Sequence, residues 1–275
     1  MLYDCAMTII NPLLAADIQH ALPAALQSTL AVEVVTETAS TNSDLLAHAQ
    51  TQPWHARFAE HQTAGRGRRG NPWLALPGGS LTFSLAWQTA PALAQLSGLP
   101  LVVGLAVRAA LQQEGVLVQL KWPNDIWLDG RKLGGILVES EGNPQQPKVV
   151  IGIGLNLALP QAVRERITQA VTALDEWIIV PERNQLAANL LSQLVTHLER
   201  FATSGFAPFQ AAFNACDALR MQSVQIVDQT AAQPVLLRQG LCRGVNERGE
   251  LLVQDASGTH AILAGEASLK PAATS

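Results

Sequence analysis

The glycine- and arginine-rich run HQTAGRGRRGNPW, from His61 to Trp73, constrains the fold more than any other stretch of the chain. Gly65, Gly67 and Gly70 have the G-x-G-x-x-G spacing of a dinucleotide-binding turn. Such a turn must open a helix whose N-terminus faces a pyrophosphate. Here NPW and then LPGGS follow, and prolines with paired glycines form a loop instead. The run therefore argues against a Rossmann fold.

The same loop is predicted to hold an anion and a flat ligand. Glycines let backbone N–H groups approach a ligand closely, and arginines bind carboxylate or phosphate groups through paired hydrogen bonds. Arg66, Arg68 and Arg69 stand together in a chain that has only 18 Lys plus Arg. A solvated basic loop and a nuclear address are the alternatives, and the glycine spacing argues against the second.

Composition excludes several classes of protein. The chain has 275 residues, of which 48% are hydrophobic and 15% charged, as in a globular protein. Its net charge is −4, whereas a DNA-binding domain normally carries a basic excess. The three cysteines form no C-x-x-C pair, so neither a disulfide framework nor a zinc site is predicted from them. Without a basic n-region or a long unbroken apolar run, we expect a cytoplasmic protein.

Hydrophobic patterning predicts a mixed architecture. Strands are predicted over VEVVTE, ARFAEH, SLTFSLAW, VLVQLKW and KVVIGIGLNLAL, and the last is apolar throughout, as a central strand would be. STNSDLLAHA is typical of a helix with Ser40 or Thr41 as N-cap, and helical spacing runs from Leu186 to Phe201. Asp129-Gly130 predicts a hairpin turn. Together these indicate the α+β class, with a mixed, mainly antiparallel sheet and helices.

A change of pattern near residue 220 indicates a domain boundary. Beyond it the chain has short strands separated by glycine turns, which predicts a small β-barrel module. The first residues are rich in alanine and leucine with scattered prolines, typical of one or two helical turns. We therefore expect an N-terminal extension over 1–31, a main domain over 32–220 and a small C-terminal domain over 221–275.

A second polar cluster follows VLVQLKW. Pro123 ends that strand and fixes a turn, so that Asn124 and Asp125 are presented from a rigid edge. Lys132 opens the next strand, before a Gly-Gly pair that leaves the backbone bare, and its ammonium can meet a carboxylate or phosphate as a point charge. If Lys132 stood alone, it would be interpreted as an exposed lysine at the end of a strand. The presence of the arginine loop in the same chain favours a binding role for it.

Five segments together resemble the biotin–protein ligases in their order and spacing: STN, HQTAGRGRRGNPW, KWPNDI, RKLGGILVE and GIGLNL. The resemblance covers about residues 32–270. It implies a catalytic domain like that of class II synthetases over 32–220 and the family's small SH3-like barrel after it, with AGEASL similar to the closing segment. It also implies an ATP-dependent ligase. Such enzymes form biotinyl-5′-AMP from biotin and ATP and pass the biotin to a lysine of a biotin carboxyl carrier protein.

The resemblance further implies roles for individual residues. Lys132, Arg66 and Arg68 correspond to catalytic positions. The positions implied to bind biotin are Ser40, Thr41, Asn42, Gln62, Gly65, Arg66, Gly67, Arg68, Lys132, Gly134 and Gly135. The positions implied to bind ATP, with any Mg²⁺ nearby, are Arg69, Trp73, Asn124, Asp125 and Asn156. Apart from any Mg²⁺ bound with ATP, no metal site is predicted, because no pair of histidines has the spacing of metal ligands.

Two other functions remain open. Lipoate and octanoate–protein ligases share the implied fold, although the sequences of the GRGRRG and KWPND segments fit a biotin ligase better. A non-catalytic biotin-binding regulator is the other alternative, and Lys132 argues against it. Some family members carry an N-terminal winged helix that represses biotin genes, and about 31 residues precede the first strand here. We therefore expect a monofunctional ligase that does not bind DNA, in an oligomeric state that the sequence leaves undetermined.

Overall fold

The computed structural model describes residues 12–48, 51–74, 76–88, 90–165, 167, 169–228, 235–263 and 268–271. Residues 264–267, which hold most of the AGEASL segment, lie outside that part. The described chain forms two β-sheets, one of seven strands and one of five, with helices packed around the larger. Within the described residues, no helix is long and apolar enough to cross a membrane.

The seven-stranded sheet is mixed and mainly antiparallel, as the sequence predicts. Its strands run in the spatial order β1-β2-β3-β7-β6-β5-β4, and β1 and β2 alone are parallel neighbours. The apolar strand β7 lies fourth of the seven, which confirms its central position. The bounds are β1 Leu30–Thr38, β2 Trp54–Gln62, β3 Ser80–Trp87, β4 Gln119–Lys121, β5 Asp125–Leu128, β6 Arg131–Asn143 and β7 Gln146–Asn156.

Seven α-helices accompany this sheet in the described ranges. Helices α4 and α6 pack together over one face and α3 over the other. The predicted periodic helix is confirmed as α6, which ends at Gly205 in a left-handed conformation (φ 64°). The bounds are α1 Ala15–Ala21, α2 Ala24–Gln27, α3 Thr41–Ala47, α4 Leu99–Gln113, α5 Gln161–Arg164, α6 Arg183–Ser204 and α7 Gln210–Cys216.

The hairpin turn between β5 and β6 has the predicted residues and geometry. Leu128 pairs with Arg131, so that two residues form the loop. Asp129 and Gly130 both have positive φ, 49° and 70°. That conformation matches the right-handed twist of the flanking strands and is the reason for the Asp-Gly preference. The turn fixes the register in which Lys132 enters β6.

The C-terminal sheet is antiparallel throughout, in the order β11-β10-β9-β8-β12. Its turn between β9 and β10 reaches the main sheet, since the indole N–H of Trp122 donates to the carbonyl of Gly249 over 3.1 Å. One hydrophobic core runs through both sheets. The SH3-like topology and the division at residue 220 stay predictions. The bounds are β8 Ser223–Asp228, β9 Val235–Val245, β10 Leu251–Asp255, β11 Gly258–Ile262 and β12 Ser268–Pro271.

A buried ion pair joins the N-terminal segment to the sheet and to α6. Arg183, at the start of α6, donates to both carboxylate oxygens of Glu60 on β2, over 3.0 and 2.8 Å. Glu60 also accepts from the backbone N–H of Leu13 (2.8 Å). Arg183 and Glu60 are 3% and 6% exposed, so each charge depends on the other for compensation.

We predict that Arg183→Met destabilises the fold by about 3–5 kcal/mol, because it leaves the Glu60 carboxylate buried without its cation. Chemical denaturation followed by circular dichroism measures this. Arg248→Ala removes an arginine whose side chain is 73% exposed and serves as the control, with an expected change of about 1 kcal/mol or less. Equal losses in the two variants would contradict the prediction.

Candidate active site

A cavity of about 770 Å³ opens on the face of the sheet that carries α3. The arginine loop, the N-terminus of α3, the turn at Pro123 and strands β6 and β7 surround it. It brings together almost all of the residues that the sequence predicts. Those that line it are Ser40, Thr41, Asn42, Gln62, Arg66, Gly67, Arg68, Arg69, Trp73, Asn124, Asp125, Lys132, Gly135 and Asn156.

Gly65 and Gly134 are the predicted residues that do not line the cavity. A Cβ atom at Gly65 would lie 2.6 Å from the carbonyl oxygen of Trp73, and one at Gly134 would lie 2.6 Å from that of Gly154. Contacts this short do not occur for real side chains. In this structure both glycines therefore allow two backbone segments to approach each other.

At one end of the cavity, uncharged amide and hydroxyl groups form a dense hydrogen-bond network. Gln62 accepts from the backbone N–H and the hydroxyl of Thr41, over 2.8 and 3.1 Å. The hydroxyl of Ser84 lies 2.7 Å from that of Thr41 and donates to the amide oxygen of Asn42 over 2.5 Å. All four side chains are buried. The network fixes the rotamers of three predicted residues, and Ser84 is the member that sequence reasoning missed.

The same end connects to the arginine loop through Glu139 on β6. Asn42 donates its amide N–H to Glu139 over 2.8 Å. Arg66 pairs with the same carboxylate oxygen at 3.2 Å and also donates to the hydroxyl of Ser43 on α3, over 3.0 Å. The guanidinium of Arg66 thus holds the loop against α3. Glu139 is a second member of the site that the sequence did not indicate.

Strand β7 forms the floor of the cavity. Alternate residues of a strand face the same side, about 6.5–7 Å apart, and here they are Gly152, Gly154 and Asn156. A Cβ atom at Gly152 would lie 2.4 Å from the amide oxygen of Asn42, and one at Gly154 would lie 2.3 Å from the indole of Trp73. The glycines of GIGLNL are therefore needed because other side chains lie directly on the backbone. Trp73 stands over the middle of the floor, between Asn42 and Asn156.

The other end of the cavity carries the charges. The ammonium of Lys132 lies 2.7 Å from the carboxylate of Asp125, and both side chains are 18% exposed. Asn124 donates to the carbonyl of Ile136 over 2.8 Å, which ties the turn at Pro123 to β6. Arg68 donates to the side-chain oxygen of Asn124 over 3.5 Å. The pKa of Arg68 is lowered by burial and by the neighbouring Arg69, although Asp125 acts in the opposite direction.

The arginine loop folds back on itself as a short hairpin. The N–H of Gly67 donates to the carbonyl of Asn71 over 2.7 Å, and that of Trp73 donates to Gly65 over 2.9 Å. Arg69 sits at its tip in the left-handed region, at φ 58°. The backbone contacts bring Arg68 and Trp73 to the cavity from opposite arms of the loop.

Residues 169–177 form a further wall of the cavity. The sequence did not indicate this segment. The backbone N–H of Lys132 donates to the carbonyl of Ala170, and the carbonyl of Lys132 accepts from the N–H of Thr172, each over 2.9 Å. Thr172 in turn accepts from the amide of Asn156 over 3.0 Å. Gln169 and Val171 line the cavity. The segment therefore pairs with the first residues of β6 and sets the position of Lys132.

Glu176 anchors that segment. It accepts from Arg131 (2.7 Å), from Arg164 (2.5 Å) and from the hydroxyl and backbone of residues 172 and 173. Burial alone would raise the pKa of Glu176, but the hydrogen bonds from Arg131 and Arg164 outweigh it and lower the pKa to about 2. The carboxylate is thus ionised throughout the neutral range and holds the segment against β6.

Two buried polar atoms of the cavity make no hydrogen bond within the described part of the chain. They are the indole N–H of Trp73 and the hydroxyl of Thr82. Thr82 pairs with Gly154 across β3 and β7, so both atoms belong to the middle of the floor. Ser80, Thr82 and Ser84 alternate along β3, a pattern of small polar residues in a buried strand that could have marked this wall from the sequence.

Comparison with known proteins identifies relatives along most of the chain. Residues 31–156 match the model of the biotin/lipoate A/B protein ligase family. The Bifunctional ligase/repressor BirA of Escherichia coli is 34% identical over 236 residues, which are 85% of this chain and 72% of that protein. The Biotin--[acetyl-CoA-carboxylase] ligase of Mycobacterium tuberculosis is 34% identical over 246 residues, which are 86% of this chain and 87% of that protein.

A solved structure agrees with these relatives. Biotin protein ligase from Aquifex aeolicus, in complex with biotin and ATP, superposes with a TM-score of 0.74 at 27% identity, over 88% of this chain and 99% of that one. The fold and the relatives are thus those of an enzyme that ligates a small carboxylic acid to a protein. Among such enzymes, the chain belongs to the biotin–protein ligase family.

We predict that Glu176 stabilises the protein at neutral pH and that this contribution disappears in acid. Its pKa is lower in the folded protein than in the unfolded chain, so the stabilisation is complete above the unfolded pKa of about 4.3 and is lost toward pH 2. Melting temperatures of the wild type and of Glu176→Gln should therefore differ at pH 7 and converge as the pH falls below 4.

Glu165→Gln is the matched control, because within the described chain the carboxylate of Glu165 accepts from Gln161 alone and lies outside the segment. Its melting temperature should follow the wild type at every pH. A difference between Glu176→Gln and the wild type that stays constant from pH 7 to pH 3 would show that the charge of Glu176 contributes nothing.

Proposed function

We propose that the uncharged end of the cavity binds the ureido ring of biotin and that the charged end binds ATP, with Lys132 between the reacting groups. The enzyme joins biotin and ATP into biotinyl-5′-AMP, with release of pyrophosphate, and then passes the biotin to a lysine of a carboxylase protein. The observation that carries the assignment of residues is the order along the floor of β7. The side-chain amide of Asn42 lies at Gly152, whereas Lys132 and Asp125 lie beside Gly135, which pairs with Gly154 two residues further along β7.

The chemistry of a cyclic urea matches the first end. A urea is neutral, offers two N–H donors and one strong acceptor, and is recognised by amide and hydroxyl groups rather than by charges. Thr41, Asn42, Gln62 and Ser84 supply such groups from buried, interconnected positions. Preorganised polar groups discriminate against a ligand that lacks the matching hydrogen bonds, since they would be left unpaired. This argues for biotin over lipoate, whose dithiolane ring has no urea.

The second end must bring two anions together. The carboxylate of biotin attacks the α-phosphorus of ATP, and pyrophosphate leaves with the electron pair of the broken P–O bond. Lys132 has three N–H donors, and Asp125 accepts from it over 2.7 Å. Its remaining donors are available for the biotin carboxylate and the α-phosphate. Arg68 adds a second fixed positive charge, and such preorganised charges stabilise the transition state.

The donors at this end also fit a magnesium ion bound with ATP. Mg²⁺ prefers carboxylate and amide oxygens together with phosphate oxygens, and Asp125, Asn124 and Asn156 offer these types at the cavity wall. The ion would supply charge neutralisation on the phosphates. The protein residues hold and orient the nucleotide, and the indole N–H of Trp73 and hydroxyl of Thr82 are available to its polar atoms or to those of biotin.

The second half-reaction needs an amine that the acceptor protein supplies. The lysine of the acceptor protein attacks the carbonyl carbon of biotinyl-AMP, a C–N bond forms, the C–O bond to phosphate breaks, and AMP leaves while the amine loses a proton. We infer that the acceptor is the biotin carboxyl carrier protein of a carboxylase and that the reaction takes place in the cytoplasm. DNA is not an expected partner, because the net charge of −4 gives no basic excess.

We predict that the purified protein releases pyrophosphate from ATP when biotin is present and that Lys132→Ala slows this release by about 10²–10³-fold. The loss should fall on kcat, since the charge acts most strongly on the transition state. Arg248→Ala, which removes an exposed arginine in the turn between β9 and β10, should leave the rate unchanged. An enzyme-coupled pyrophosphate assay measures all three proteins.

The same assay separates the alternative functions. Release that requires lipoate or octanoate instead of biotin would make the protein a lipoyl-type ligase. Biotin binding in a calorimeter without pyrophosphate release would make it a regulator. An undiminished rate in Lys132→Ala would remove that residue from the adenylation step while leaving the ligase activity in place.

We predict further that Ser84→Ala raises KM for biotin about 10-fold and leaves KM for ATP near its wild-type value. The hydroxyl fixes both Thr41 and Asn42, and loss of such a hydrogen bond in a buried site costs about 1–2 kcal/mol. Ser204→Ala, at the exposed end of α6, is the control. A larger effect on ATP than on biotin would reverse the proposed orientation of the two substrates.

A further inference from the structure

A group of metal-ligand side chains lies on the same face of the sheet as α3, near the helix end remote from the cavity. His55 on β2, Glu33 on β1 and His48, the C-cap residue of α3, each direct one ligand atom toward the others, and these atoms all lie within 4.8 Å of one another. Among the described residues this is the one such group. None of the three lines the cavity.

Two of the ligand atoms already have the spacing of a zinc site. Zinc bonds of about 2.0–2.1 Å in a tetrahedral arrangement place neighbouring ligand atoms about 3.3–3.4 Å apart. Nε2 of His55 lies 3.3 Å from the carboxylate oxygen Oε1 of Glu33. The ring centroids of His48 and His55 are 5.2 Å apart and nearly perpendicular. His48 is exposed, and its ligand atom lies within 4.8 Å of the other two.

His55 supplies a second, independent observation. Its residue is 6% exposed, and its buried Nε2 atom meets the Glu33 carboxylate at 3.3 Å but makes no well-aligned hydrogen bond within the described chain. A buried polar atom without a hydrogen bond costs free energy. A metal ion at that point would satisfy the nitrogen. The imidazole ring of His55 lies next to Glu33 and His48, so its Nε2 atom is directed into the proposed site.

The surroundings hold Glu33 in the orientation that such a site requires. Arg57 binds the other oxygen of Glu33, Oε2, at 2.6 Å and leaves Oε1 toward His55. Asp44 on α3 holds Arg57 at 2.9 Å, and the hydroxyl of Thr38 donates to Asp44 over 2.7 Å. Carboxylates bound to metals are oriented by such outer hydrogen bonds.

The charges around the group also favour a cation. The nearby cation Arg57 is matched by two carboxylates, those of Glu33 and Asp44, so the three together carry a charge of −1. Lys148 is a second cation near His48, where its ammonium is bound by the carbonyl oxygens of Leu46 and His48, and the carboxylate of Glu141 lies close enough to offset its charge. A divalent ion therefore meets a small net negative charge.

We propose that His48, His55 and Glu33 form a binding site for Zn²⁺ or a similar divalent transition-metal ion. Two imidazoles and one carboxylate are a common zinc ligand set, with a water molecule in the fourth position. The ion joins β1 and β2 to the C-terminal end of α3. Because the N-terminal end of the same helix carries Thr41 and Asn42, the ion stabilises the helix that presents one wall of the cavity.

The test is a calorimetric titration of metal-free wild-type protein with ZnCl₂, together with His48→Asn. We expect one zinc ion per chain for the wild type and a loss of affinity of at least about 10-fold for the variant, since one of three protein ligands is removed. Zinc should raise the melting temperature of the wild type but not of His48→Asn. His48 is exposed, so the variant should fold. MgCl₂ in place of zinc should give no such binding, because magnesium prefers oxygen ligands.

The chain contains a matched control on the same two strands. His61 and Glu37 face each other on β2 and β1 at 2.9 Å, but among the described residues no second histidine joins them. His61→Asn should therefore bind zinc as the wild type does. No zinc binding by the wild type at concentrations below about 1 mM, or equal affinity in His48→Asn, would overturn the proposal. Loss of binding in His61→Asn instead would place the ion elsewhere.

Discussion

The bare backbone of β7 at Gly152 and Gly154 is the constraint on which the site depends. Any side chain at these positions would occupy the space of Asn42 or Trp73. The strand is nevertheless the centre of the large sheet, where its alternate residues Ile151, Ile153 and Leu155 pack into the core. One face of β7 thus stabilises the fold while the other provides a flat floor. A floor of this kind lets polar groups from distant segments converge on one ligand.

The walls of the cavity are held by few but specific contacts. The carbonyl of Ala170 accepts from the backbone N–H of Lys132, and the N–H of Thr172 donates to the carbonyl of Lys132. These two bonds fix the chain at Lys132, and Asp125 holds its ammonium. Glu139 connects Asn42 to Arg66 and so couples the uncharged wall to the arginine loop. In the proposed function these contacts keep two anions at one point, at a cost that fixed positive charge offsets.

The sequence predicts those features that depend on local chemistry. The Asp129-Gly130 turn, the central position of β7 and the helix ending at Gly205 follow from turn residues and periodicity. The implied site residues converge on one cavity, but their roles, like the domain division, stay predictions. Glu139 could not be found this way, because its partners Asn42 and Arg66 lie 97 and 73 residues away in sequence. Ser84 belongs to the alternating polar pattern of β3, but its contacts with Thr41 and Asn42 are also remote in sequence. For the same reason the histidine spacing gave no sign of the group of His48, His55 and Glu33, whose third member lies on another strand.

The central claim is that the cavity makes and retains an acyl-adenylate. The most direct measurement incubates the enzyme with biotin and α-labelled ATP in the absence of an acceptor protein, and then isolates the protein by rapid gel filtration. The account predicts biotinyl-AMP bound at about one molecule per chain, transferable to a carrier lysine on addition of a biotin carboxyl carrier domain. Labelled AMP without biotinyl-AMP, or an adenylate that forms with lipoate but not with biotin, would contradict it.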